Sequence, residues 1–211
     1  VRPVKRPRLI VADEHALVAA GIRSLLEDEY DVAGIAGDGR ALLAMAETLR
    51  PDLILLGVSL PLLNGIETAR RLRRSLPRTK VIFVTMQADP AYLTEALRAG
   101  CCGYVLKRCA PDELFTAIRE ALKGRSYITP LVARDLSARR KPGRFAATLT
   151  ERQREVLQLV AEGRSTKEIA AVLHVSTKTV EFHRSSTARK LGLHTTAELT
   201  KYAINHGILV G

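Results

Sequence analysis

Leu9-Ile10-Val11-Ala12-Asp13-Glu14 sets four apolar residues in a row and then two carboxylates. A short continuous apolar run reads as a strand buried on both faces, as strands of a parallel sheet are. The acids then fall at its carboxyl end, where open parallel sheets carry their ligand sites. Further apolar runs follow at 32–35, 53–56, 81–84 and 104–106, each separated from the next by a stretch of helical length. Leu17, Ile22, Leu25 and Leu26 recur at helical spacing in the first interval, and Leu42, Leu43, Ala46 and Leu49 in the second. Such one-sided faces cover a sheet. Gly100 and Gly103 flank the turn after a helix over 90–99, and Pro111 opens a helix that ends near Lys123. The alternation predicts an α/β, doubly wound, five-stranded parallel sheet over residues 1–125.

Residues 148–211 carry a different pattern. Thr150 with Gln153 three residues on is a capping box, and Val156, Leu157, Leu159 and Val160 give the following helix an apolar face. Gly163 stops that helix, Ser165 or Thr166 starts a second, and Ile169, Ala170 and Leu173 turn toward a small core. His174-Val175-Ser176 is a tight turn into a third helix from Thr177 to about Leu191, and a fourth runs over 196–205 with Leu199, Tyr202, Ala203 and Ile204 inward. Two short helices joined by a tight turn, the second polar and basic on one face, describe a helix-turn-helix within an all-α, four-helix domain. Residues 126–147 read as a linker, with a helical piece near 131–136 and the basic stretch Ser137-Ala138-Arg139-Arg140-Lys141-Pro142-Gly143-Arg144.

Taken together, these residues resemble the response regulators that join a receiver domain to a LuxR-type helix-turn-helix, the NarL/FixJ family. The resemblance spans nearly the whole chain. It rests on Val11-Ala12-Asp13-Glu14-His15, on Pro61 and Gly65 after the third strand, on Thr85 ending the fourth, on Tyr104-Val105-Leu106-Lys107 in the fifth, and on the helices from Leu149 onward. It implies the flavodoxin-like strand order 2-1-3-4-5. It also implies a pocket in which Asp13 and Glu14 hold a magnesium ion, Thr85 hydrogen-bonds an incoming phosphoryl group, Lys107 neutralises it and Tyr104 changes rotamer.

The position that the resemblance gives to the phosphate-accepting aspartate is Gly57. A glycine has no side chain to carry a phosphoryl group or to offer the metal a third carboxylate, so no cofactor is expected, and magnesium, held by Asp13 and Glu14 if at all, only weakly. The nearby Ser59 has nothing to activate its hydroxyl. Natural divergence and an engineered substitution in a phosphorylatable regulator both stay open.

By the same resemblance the third C-terminal helix enters the major groove, with Glu181, Phe182 and Ser185 toward base edges. Glutamate accepts from cytosine N4, an aromatic edge meets a thymine methyl, and serine adapts to either partner. Family members often carry lysines at two of these sites. Thr177, Lys178, Thr179, His183, Arg184, Arg189 and Lys190 fall to the phosphates. For Phe182 an ordinary place in the core is the competing reading.

Charge agrees with a nucleic-acid partner: residues 126–211 contain 14 Lys and Arg against 7 Asp and Glu, +7 of the chain's formal +11. Arg70, Arg71, Arg73 and Arg74 read as a solvated face or a contact to a partner or DNA backbone. Cys101, Cys102 and Cys109 read as small packing residues or as redox sensors, and their odd number fits a reducing cytosol. His15, His174, His194 and His206 show no ligand spacing. No stretch is apolar enough to span a bilayer or direct export, so a cytoplasmic location is expected, with no membrane partner. An enzyme is not expected, since no Gly-rich phosphate loop follows the first strand and no nucleophile is paired with a base.

The expectation is a sequence-specific DNA-binding transcriptional regulator whose receiver works without aspartyl phosphorylation. Its partners would be double-stranded DNA, a second copy of itself at least on DNA, and a sensor kinase or other regulatory protein. The alternative is an adaptor that heterodimerises with another regulator and does not itself act at promoters.

Overall fold

In the computed structural model, residues 6–133 and 149–209 are described, and the chain divides into two compact units. The first unit alternates strand and helix: β1 (Arg8–Ala12), α1 (Ala16–Leu26), β2 (Asp31–Ala36), α2 (Gly39–Leu49), β3 (Leu53–Leu56), α3 (Gly65–Ser75), β4 (Lys80–Thr85), α4 (Pro90–Ala99), β5 (Gly103–Leu106), α5 (Pro111–Leu122) and β6 (Tyr127–Ile128). All pairings are parallel, in the order β2-β1-β3-β4-β5-β6.

Five strands are predicted, and the described residues form a sheet of six. The added strand lies in the stretch read as linker. Tyr127 pairs with Gly103 and Ile128 with Tyr104, through Tyr127 N–H to the Cys102 carbonyl (3.0 Å) and Thr129 N–H to the Tyr104 carbonyl (2.9 Å). Two residues are too few to display a period, so nothing in the sequence marks them as a strand. The Thr129 hydroxyl fixes them further by donating to the Glu113 carboxylate. Residues 130–133 are helical, in line with the helical piece expected near 131–136, of which 134–136 lie outside the described residues together with the basic stretch 137–144.

Because side chains alternate along a strand, each buried strand serves two cores. Leu9, Val11, Leu53, Leu55, Ile82, Val84 and Val105 pack with Ala19 and Leu26 of α1 and with Leu114, Ala117, Ile118 and Ala121 of α5. Their neighbours Ile10, Ile54, Leu56, Phe83 and Tyr104 are equally buried and face the other way, the side on which α2, α3 and α4 lie next to one another. Asp38 caps α2 by accepting from Arg40 and Ala41 N–H, and Asp89 caps α4 ahead of Pro90. Arg70 departs from the solvated face read for its cluster: it donates to two buried carboxylates, Glu67 on its own helix (3.0 Å) and Glu95 on α4 (2.6 Å).

The second unit consists of α6 (Glu151–Ala161), α7 (Thr166–Leu173), α8 (Thr177–Leu191) and α9 (Thr196–Asn205). Capping boxes at Thr150/Gln153, Ser165/Glu168 and Thr195/Glu198 begin α6, α7 and α9, and Ser176 caps α8. The core gathers Val156, Leu157, Leu159, Val160, Ile169, Leu173, Val180, Leu199 and Ala203. Ile204, expected inside, is 42% exposed. Among the described residues no helix is long and apolar enough to cross a membrane.

Candidate functional sites

The first site is built at the carboxyl edge of the sheet. β1 delivers Asp13, 2% exposed, and β5 delivers Lys107, whose backbone N–H is anchored on the Thr85 carbonyl at 2.8 Å. The Lys107 ammonium reaches Asp13 Oδ2 at 2.7 Å and Oδ1 at 2.9 Å, and stands 4.0 Å from Glu14 Oε1. His15 turns its Nδ1 to 3.4 Å from both carboxylates, and ligand atoms of Asp13, Glu14 and His15 lie within 4.8 Å of one another.

Gly57 follows β3 and donates its N–H to the Ala12 carbonyl (2.8 Å). A Cβ built there would lie 3.2 Å from Glu14 Oε2 and 3.3 Å from the Ala12 oxygen, so Glu14 leans into space that a side chain at 57 would need. Glu14 Oε2 is buried and, among the described residues, without a hydrogen-bond partner. Gly65 is required for a different reason: a Cβ on it would meet the Gly57 carbonyl oxygen at 2.0 Å, so α3 can begin against the end of β3 only as glycine.

A magnesium ion, which the resemblance implies, does not fit this arrangement. Such an ion takes six oxygens at close range, chiefly carboxylates and water. Here both oxygens of Asp13 are engaged by an ammonium, and position 57 offers no carboxylate.

Thr85 and Tyr104 are brought together by Gln87, which the sequence did not single out because nothing local distinguishes it. The Thr85 hydroxyl accepts from Gln87 N–H (3.1 Å) and the Tyr104 hydroxyl donates to the Gln87 carbonyl (2.8 Å). Tyr104 is fully buried beside Phe83, and desolvation drives its pKa up, so it remains a neutral donor. At the cysteines burial outweighs nearby charge: Lys80 acts to lower the Cys102 pKa, but desolvation raises it overall. Cys101 is buried, its thiol pushed up to about 12 by desolvation and next by Cys102, and the Cys102 thiol donates to the Val81 carbonyl. Burial also raises Cys109. Packing is the reading these thiols support.

The second site is the outer face of α8. Lys178, Glu181, Phe182, Ser185 and Arg189 are all exposed, at spacings of three, one, three and four residues, which set them on one side of a helix. Phe182 is 67% exposed, so it is not a core residue; its ring meets the His183 imidazole edge-on, centroids 5.5 Å apart. Glu181 makes no ion pair among the described residues. Val180 and Thr187 face the opposite way into the core.

The expected phosphate anchors divide. Thr177, Lys178, Arg189 and Lys190 are exposed. Thr179 is half-buried at the N-terminus of α8, its hydroxyl 2.9 Å from Ser176 Oγ. Arg184 donates to Thr196 Oγ1 at 2.7 Å. Desolvation and then the nearby Arg152 lower the His183 pKa, which disfavours its charged form.

Residues 9–119 match the response regulator receiver domain, and residues 147–203 match the bacterial regulatory proteins of the luxR family. The transcriptional regulatory protein MctR of Rhizobium johnstonii is 35% identical, over 96% of this chain and 95% of its own. The response regulator UvrY of Escherichia coli is 32% identical, over 95% of this chain and 94% of its own. Among solved structures, Salmonella typhimurium RcsB aligns at 31% identity with a TM-score of 0.64, covering 96% of this chain and 99% of that one. RcsB solved as a complex with DNA aligns at a TM-score of 0.61 and 31% identity, covering 95% of this chain and 99% of that one. The chain thus belongs to the response regulators that join a receiver domain to a luxR-family helix-turn-helix domain.

Proposed function

We propose that this protein is a sequence-specific DNA-binding transcriptional regulator that works without aspartyl phosphorylation and acts on DNA as a dimer. The observation that carries the DNA reading is the α8 face: the exposed carboxylate of Glu181 and the exposed ring of Phe182 lie at its centre, with Lys178 and Arg189 at its ends. Cations at the margins position a helix on phosphates, and the central side chains read base edges. RcsB, a relative over the full chain, has been solved bound to DNA and as dimers on DNA. Two modules on adjacent half-sites gain affinity from effective concentration.

Gly57 carries the second half of the proposal. At the position assigned to the acceptor there is no atom to phosphorylate. The groups assigned to sense phosphate have other partners: Lys107 holds Asp13, and Thr85 and Tyr104 both hold Gln87. We place the receiver-like domain at residues 1–125, extended by β6, and the DNA-reading domain at residues 148–211. A sensor kinase or another regulator remains in the proposal as a protein partner of the receiver, one that acts by contact rather than by phosphoryl transfer.

The test is selection from genomic fragments by the untreated full chain. Enrichment of a shared motif supports a promoter-reading regulator; uniform, salt-sensitive capture without a motif would support the adaptor reading instead.

A further inference from the structure

Asp13 and Lys107 belong to strands with β3 and β4 between them. Their bond therefore spans the carboxyl edge of the sheet and ties the β1–α1 turn to the β5–α5 turn. It is shielded, with 9% of the lysine side chain and 2% of the aspartate side chain exposed. Three carboxylates in such a pocket repel one another and call for a divalent ion. With glycine at 57 the pocket carries two, Asp13 and Glu14, and one ammonium leaves a net charge of only −1.

We infer that Lys107 is the resident cation of this pocket, a structural replacement for a divalent metal rather than a group waiting for phosphate. The inference deepens the phosphorylation-independent reading and rests on it for the role of position 57. The ammonium has taken over Asp13, and Glu14 has relaxed into the space beside Gly57, where its Oε2 is left without a partner. Removing the ammonium would return to the pocket two uncompensated carboxylates, one of them with an oxygen already unsatisfied. A divalent cation would then find a site between them.

The experiment is thermal unfolding of the full chain with and without millimolar MgCl2 or MnCl2, for the natural protein, Lys107→Met and Asp13→Asn, with calorimetric titration of Mg2+ into the natural protein. The natural protein is expected to show no shift and no binding heat. Lys107→Met is expected to melt about 10 °C lower, as when one partner of a buried pair is lost, and to regain part of the loss in Mg2+ or Mn2+. Asp13→Asn should be destabilised and gain nothing from metal.

Stoichiometric Mg2+ binding by the natural protein would overturn the inference, and this arm holds even if the variants do not fold. A Lys107→Met protein as stable as the natural one, or destabilised but indifferent to metal, would overturn it too. None of these readouts involves DNA or phosphate, so failure here leaves the DNA-binding proposal standing. A phosphate response with the Lys107 behaviour intact would defeat the other reading alone.

Discussion

Exposing a phenylalanine forgoes about 2 kcal/mol of burial, so Phe182, at 67% exposure on α8, is a ring whose stabilisation waits for a partner. Replacing Phe182 with Ala is expected to weaken binding to a selected site about tenfold with little change in the unfolding curve, since most of the ring is exposed. If the ring meets a thymine methyl, uracil at that position costs the natural protein affinity and costs the variant none. Band-shift titrations on paired thymine and uracil duplexes check both.

Cys101 offers a pH-dependent prediction. Its folded pKa is raised to about 12, above the ordinary thiol value, so its contribution to stability is complete below about pH 9. That contribution is lost as pH rises through the window from 9 to 12. Unfolding measured at pH 7.5 and 10 should show a decline that Cys101→Ala reduces, and native alkylation of this thiol at neutral pH should be slow.

Which side chains occupy the first pocket was legible, because Asp13, Glu14 and Lys107 end predicted strands. What they do there was not, because the lysine and the aspartate are 94 residues apart and only the fold decides which carboxylate the lysine reaches.

Helix starts were easy to read because caps are local: Thr150 with Gln153, and Ser165 or Thr166 ahead of the second helix, signal their helices within four residues. β6 escaped because two residues carry no period, and its pairing is written in β5. Arg70 escaped for a similar reason. Its second carboxylate is on another helix, so a basic run that reads as solvated contains a clasp between α3 and α4. Glu67 and Glu95 have 3% and 6% of their side chains exposed, and Arg70 only 29%. Arg70→Met removes the cation that Glu67 and Glu95 share, leaving Glu95 with Arg98 (2.7 Å), and is expected to cost the first unit about 3 kcal/mol in urea unfolding. An equivalent change at Arg74, which is exposed, should cost much less.

Across the chain, +7 of the formal +11 lies in residues 126–211, and that excess predicts DNA affinity that falls steeply with salt. In a phosphorylation switch, a change at the first unit's pocket alters which arrangement of the protein is favoured, and the phosphoryl group supplies the differential energy. This chain retains the pocket's acids, lysine, threonine and tyrosine, yet position 57 has no side chain to accept the group. On the proposed phosphorylation-independent reading, competence for DNA is present already or is supplied by a partner.

The most direct test is the affinity of the untreated full chain for a selected DNA site, titrated at one fixed salt concentration with and without beryllofluoride and Mg2+. The account predicts superimposable curves and an unchanged oligomeric state. A clear gain or loss of affinity on adding the phosphoryl mimic would contradict it.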